Sequence, residues 1–170
     1  MVATPMPSQA PHYSVASYRS LESFLLRMHQ IGTAFTVDLD AQLAPLGITS
    51  TQWGLLKAIA DGRGDTAADL SRQYGYDPGA LTRILDRLER KGLVRRDRSQ
   101  KDRRRVHIAL TEAGRELTQG CLPYLVDAHN ALLEGFSPEE FQGLMAYLSR
   151  ILDNARDEPA RRRATREGMQ

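Results

Sequence analysis

Along residues 21–43 the apolar side chains Leu21, Phe24, Leu25, Met28, Ile31, Phe35, Leu39 and Leu43 recur at steps of three and four. That spacing predicts a long amphipathic helix, closed by Pro45 and Gly47. A second helix is expected from Thr49 or Ser50, where Thr49 and Gln52 have capping-box spacing and Trp53, Leu56, Ile59 and Ala60 supply an apolar side. The GRG triplet at 62–64 breaks it. A third, opened by Thr66 with Asp69 three residues on, runs to about Tyr74, and Gly75 makes a turn. Asp77 then offers an N-cap and Pro78 a first helical residue for a fourth helix. Its buried stripe is Leu81, Ile84, Leu85 and Leu88, its outward face Gly79, Thr82, Arg83, Arg87 and Arg90, and Gly92 its end. Two short helices around a tight glycine turn, the second basic on its open side, fit a helix-turn-helix.

Leu93–Arg96 and Val106–Leu110 are β-branched or alternating on either side of the polar run SQKDRRR, which predicts a hairpin, a wing beside the helices. Thr111 caps a fifth helix reaching Leu133, bent where Pro123 removes a backbone donor and crowds the carbonyl of Gln119. Ser137-Pro138-Glu139-Glu140 opens a sixth through Phe141, Leu144, Met145, Leu148 and Leu152. The expected fold is mainly α with a small β-hairpin: a winged helix-turn-helix with N- and C-terminal dimerisation helices. By this division residues 1–14 form a disordered arm, 15–48 a dimerisation helix and 49–111 the DNA-binding lobe. Residues 112–156 form further dimerisation helices, and 157–170 a charged, mobile tail.

Charge sharpens this picture. Between Arg83 and Arg105 eleven Lys and Arg stand against four Asp and Glu, a local charge of +7 in a chain of 170 residues whose total is +2. The remainder carries −5, so charge is sorted into one zone, the electrostatic footprint of a nucleic-acid binder. An α-helix fits the major groove, and Arg is the commonest direct reader of guanine there. An Arg at the tip of the wing suits the narrow minor groove. The candidate DNA-binding residues are Gly79, Thr82, Arg83 and Arg87 on the helix and Arg98, Asp102, Arg103 and Arg104 in the hairpin.

These residues carry a family resemblance. Thr82-Arg83, Leu88-Glu89-Arg90-Lys91-Gly92-Leu93-Val94, Asp102-Arg103-Arg104 and Leu110-Thr111-Glu112-Ala113-Gly114 resemble, in order, the signature of MarR-type bacterial transcription regulators. The likeness extends over roughly residues 18–155. It implies a homodimer joined through the first, fifth and sixth helices. It also implies binding to a pseudo-palindromic double-stranded DNA operator, in most members as a repressor, with release by a small aromatic or phenolic acid. In such regulators an effector pocket lies where dimerisation helices meet the DNA-binding lobe. By resemblance its walls here would come from Arg27, Met28, His29 and Ile31, Trp53, Leu117 and Cys121, a set suited to an aromatic carboxylate.

Other classes find little support. His12, His29, His107 and His129 are scattered, so no metal or other cofactor is expected. No P-loop, GxSxG or HExxH pattern is present, so no enzymatic activity is expected. The lone Cys121 falls on an apolar stripe, as a buried inert thiol would. No apolar run approaches the ~18 residues of a membrane span, and MVATPMPSQAPHYS lacks the segments of a secretion signal, so a cytoplasmic location is expected. The competing reading is a winged-helix module for protein–protein assembly without a ligand response. Salt-sensitive retention on DNA separates the two.

Overall fold

Seven α-helices and one hairpin follow one another in the computed structural model, which describes residues 12–16, 18, 19, 23–98 and 106–167, excepting the side chains of Arg98 and of 158–167. Leu21 and most of the predicted N-terminal arm lie outside the described residues. Helix α1 spans Phe24–Leu43 and passes into a single 3-10 turn, Ala44–Leu46, stopped by Gly47 in the left-handed region at φ 67°. Next come α2 (Ser50–Ala60), α3 (Ala67–Tyr74) and α4 (Pro78–Arg90), then β1 (Val94–Arg98) and β2 (Val106–Leu110). Helices α5 (Glu112–Gly120), α6 (Leu122–Leu132) and α7 (Pro138–Glu167) complete the chain. It divides into two compact units, Met1–Ala128 and His129–Gln170.

The helix boundaries have identifiable causes. Thr49, Thr66 and Thr111 each accept the backbone N–H three residues on, and Asp77 accepts that of Ala80 at 2.8 Å. Ser137 and Glu140 make the full reciprocal box. The predicted box at Thr49 is only half made, because the Gln52 carbonyl oxygen accepts from Lys91 instead. The fifth helix of the sequence reading is two helices, parted at Cys121. Pro123 cannot donate to Gln119, and the N–H of Cys121 closes α5 on the carbonyl of Leu117 at 3.0 Å. Beyond Asp157, where a mobile tail was expected, α7 continues to Glu167. That stretch is rich in Ala, Arg and Glu, strong helix formers that need no apolar stripe in water.

The core of the first unit gathers Leu39 and Leu43 from α1, Leu55 and Leu56 from α2, Leu70 from α3 and Leu81, Leu85 and Leu88 from α4. Ile108 and Leu110 of β2 and Cys121 and Leu125 beyond it close the cluster. The strands pair antiparallel with Val94 opposite Leu110 and Arg96 opposite Ile108. Side chains of paired residues share a face, so Val94, Arg96, Ile108 and Leu110 lie together on the inward side. The backbone N–H of Ile108 also bonds the carbonyl of Asp65 at 2.7 Å, joining β2 to the loop before α3. No helix among the described residues is long and apolar enough to cross a membrane.

One contact at the hairpin base admits only glycine. A Cβ on Gly114 would lie 2.0 Å from the carbonyl oxygen of Leu93. That oxygen already accepts the N–H of Thr111 at 3.1 Å, while the Thr111 hydroxyl donates to the carbonyl of Gly92 at 2.6 Å. Because the obstacle is backbone, neither side can step aside cheaply. Gly114→Ala is expected to lower stability by about 1–3 kcal/mol or more, read as a fall in the urea midpoint at unchanged slope; an unaltered midpoint would contradict the packing described.

Candidate nucleic-acid interface

Helix α4 is built to present one face. Pro78 fixes its first turn, and Leu81, Leu85 and Leu88 hold its apolar stripe in the core. At its far end Gly92, at φ 70°, lets its own N–H reach Glu89 and that of Leu93 reach Leu88, a Schellman cap. The opposite face is left to solvent. Gly79, Thr82, Arg83 and Arg87 are all exposed there, as the sequence predicted. The Thr82 hydroxyl donates back to the carbonyl of Pro78 at 2.9 Å, keeping its methyl group outward. Arg83 and Arg87 have no ion pair among the described residues, so both guanidiniums are available to an outside partner.

The rest of the basic zone divides by role, which counting charges could not reveal. Lys91 donates to the carbonyl of Gly47 at 2.5 Å and to Gln52 at 3.0 Å, bracing the end of α4 against the turn after α1. Arg95 pairs with Asp97 at 2.9 Å on the outward face of β1. Arg96 points inward and forks onto two carboxylates of α4, Nη2 to Asp86 at 2.6 Å and Nη1 to Glu89 at 2.9 Å. In the sequence Arg96 is one cation among eleven and Gly114 one residue of the Leu110–Gly114 signature, and neither has a role of its own there. Strand alternation held the signal for Arg96, which shares a face with Val94. Asp102, Arg103 and Arg104 lie outside the described residues, as does the side chain of Arg98.

The expected effector residues differ in exposure. Arg27, Met28, His29 and Ile31 stand exposed on α1, and His29 borders a shallow concavity of about 380 Å³ with Gly32, Thr33, Thr36 and Val37. Trp53 is half-buried and its indole N–H donates to the carbonyl of Thr118 at 3.1 Å. Leu117 packs against the core, and Cys121 is wholly within it. A separate concavity of about 660 Å³ is lined from α2, the hairpin and α5, by Ile59, Arg95, Leu110, Arg115 and Gln119 among others, and none of the seven expected residues borders it.

A sequence profile of the MarR family matches residues 46–105. A cysteine-to-serine mutant of MarR from E. coli is 30% identical to this chain, with 76% of this chain and 96% of the relative covered and a TM-score of 0.66. The chain belongs to the MarR family. A second structure of that E. coli mutant, complexed with operator DNA, is 31% identical over 75% of this chain and 91% of its own, with a TM-score of 0.69. The MepR–DNA complex from S. aureus, at 24% identity over 78% and 98% of the two chains, shares the fold at a TM-score of 0.72. The matched profile runs from the turn after α1 through α2, α3, α4 and β1 to the end of the predicted wing tip, and stops short of β2.

Within this MarR-family fold Cys121 is an inert packing residue. It has no exposed surface, and burial pushes its thiol above the ordinary cysteine range. The thiolate, which is the reactive form, is therefore scarce at neutral pH. Titration of the native protein with a disulfide reagent at neutral pH should show no fast-reacting thiol, and one per chain after denaturation. Rapid modification of the native protein would contradict this placement.

Proposed function

We propose that this chain is a transcription regulator, acting as a repressor, that binds a pseudo-palindromic operator as a homodimer. The observation that carries the reading is the basic face of α4, with Thr82, Arg83 and Arg87 exposed beside the hairpin and no ion pair to either arginine among the described residues. The E. coli relative complexed with operator DNA has the same fold at 31% identity. For dimerisation, α1 exposes Leu25, Met28, Ile31 and Val37, and α7 exposes Phe141, Met145, Tyr147 and Leu152. Apolar rows of this extent on a soluble chain mark association surfaces.

In this reading Arg83 reads a base edge in the major groove, and Arg104 enters the minor groove. Arg83→Ala should cost on the order of 1–3 kcal/mol of operator affinity and relax base preference at one position of each half-site. Arg104→Ala should weaken binding with less change in preference. Gel-shift titrations at fixed salt check both. Unchanged binding by the two variants would remove the assignment.

The reading includes release by a small aromatic carboxylate. Arg27 and His29 stand beside Met28 and Ile31 on α1, a cation and an imidazole next to apolar surface, with Trp53 and Leu117 as the proposed inner wall; Cys121, buried in the core, is dropped from it. Such an effector must bind the DNA-incompetent arrangement more tightly than the competent one, since equal affinity shifts nothing. Salicylate or hydroxylated pyridine carboxylates should quench Trp53 fluorescence and weaken operator binding over the same concentration range. Quenching with unaltered DNA affinity would leave a pocket without a switch.

A further inference from the structure

We infer that Arg96 is a positioning residue for the DNA-reading surface: it holds the wing strand β1 against α4 and does not itself contact phosphate. The inference rests on the DNA-binding reading above and assigns a role within that surface. By count Arg96 is one more cation of the basic zone. By geometry it is not available to DNA. Strand alternation turns it to the face it shares with buried Val94, and its cross-strand partner is buried Ile108. Its side chain is 30% exposed, against 62% for neighbouring Arg95 on the outer face.

On that inner side the guanidinium meets Asp86 and Glu89, one helical turn apart on α4 and flanking the stripe that Leu85 and Leu88 bury. A planar guanidinium meets both carboxylates with donors held at fixed angles, a directional constraint that the freely rotating donors of an ammonium do not impose. Two consequences follow. The hairpin is tied to α4 by a directional link in addition to the non-directional packing of Leu93 and Val94. Asp86 and Glu89, close in sequence to Arg83 and Arg87, are both engaged by Arg96, whose single charge offsets one of their two. Asp86 and Glu89 are thus part of the DNA-reading apparatus although their own charge opposes DNA.

The test compares wild type, Arg96→Gln, the Asp86→Asn/Glu89→Gln double variant and the triple variant. Binding is titrated across a salt series on an operator duplex selected by the wild-type protein and on a duplex of unrelated sequence. A cation that touches phosphate contributes about one to the slope of log affinity against log salt, and its loss lowers that slope. Arg96→Gln is expected to weaken operator binding roughly threefold to tenfold, the scale of a half-exposed charge network, at the wild-type slope. The double variant, although two charges more positive, should also weaken operator binding while holding the unrelated duplex at least as tightly. The triple variant should be no weaker than Arg96→Gln, because all three changes remove one interaction.

A slope reduced by about one in Arg96→Gln, or tighter operator binding by the double variant, overturns the inference while leaving the DNA-binding reading intact. Should Arg96→Gln unfold, Arg96→Lys serves in its place: incomplete recovery of wild-type affinity supports the fork, and full recovery shows that charge alone suffices and overturns it. A wild-type protein that selects no duplex overturns the underlying reading and this inference together.

Discussion

The carbonyl of Leu93 is the point at which the DNA-reading half of this protein is held together. It sits one residue past the glycine that ends α4, accepts the N–H of Thr111 at the end of β2, and is overlain by Gly114 in the first turn of α5. Four elements thus converge on a single backbone group, and only a residue without a Cβ can close the contact. Because the Schellman cap fixes Leu93 relative to α4, the hairpin starts at a set angle from that helix. Everything the wing does at a distance depends on that angle.

Around this junction the cations fall into two classes. Lys91 and Arg96 are engaged within the fold, one bracing the end of α4 against the turn after α1 and the other tying β1 to α4. Arg83 and Arg87 are turned outward with no ion pair among the described residues. A surface salt bridge contributes little to stability by itself, so the first set matters chiefly for orientation. A recognition surface made of one helix and one hairpin reads DNA only if the two elements keep a fixed relation. Placement to within a fraction of an ångström decides whether a bidentate contact to a base forms.

Most of the fold was legible because its signals are local. The stripe Leu81, Leu85 and Leu88, the Asp77-Pro78 start and the Gly92 stop define α4 without reference to any distant residue. The hairpin showed through strand alternation, and Pro123 announced the break at Cys121. What escaped depends on contacts between residues far apart in sequence. Gly114 is special only because Leu93 lies against it, and Arg96 differs from Arg95 only by the face it occupies. Gln52, read as half of a capping box, is taken by Lys91 from another helix. The extension of α7 past Asp157 was missed because a run of mostly charged residues has no apolar rhythm to find.

In the proposed dimer the exposed face of α4 and the adjoining hairpin, duplicated by a two-fold axis, act as one sequence-reading surface. Selection of bound duplexes from a random-sequence pool by the full-length wild-type protein puts this to the test. Enrichment of two half-sites in inverted orientation, centred about 10 base pairs apart, is expected. Recovery of a single unsymmetrical site, or of no preferred sequence at all, would contradict it.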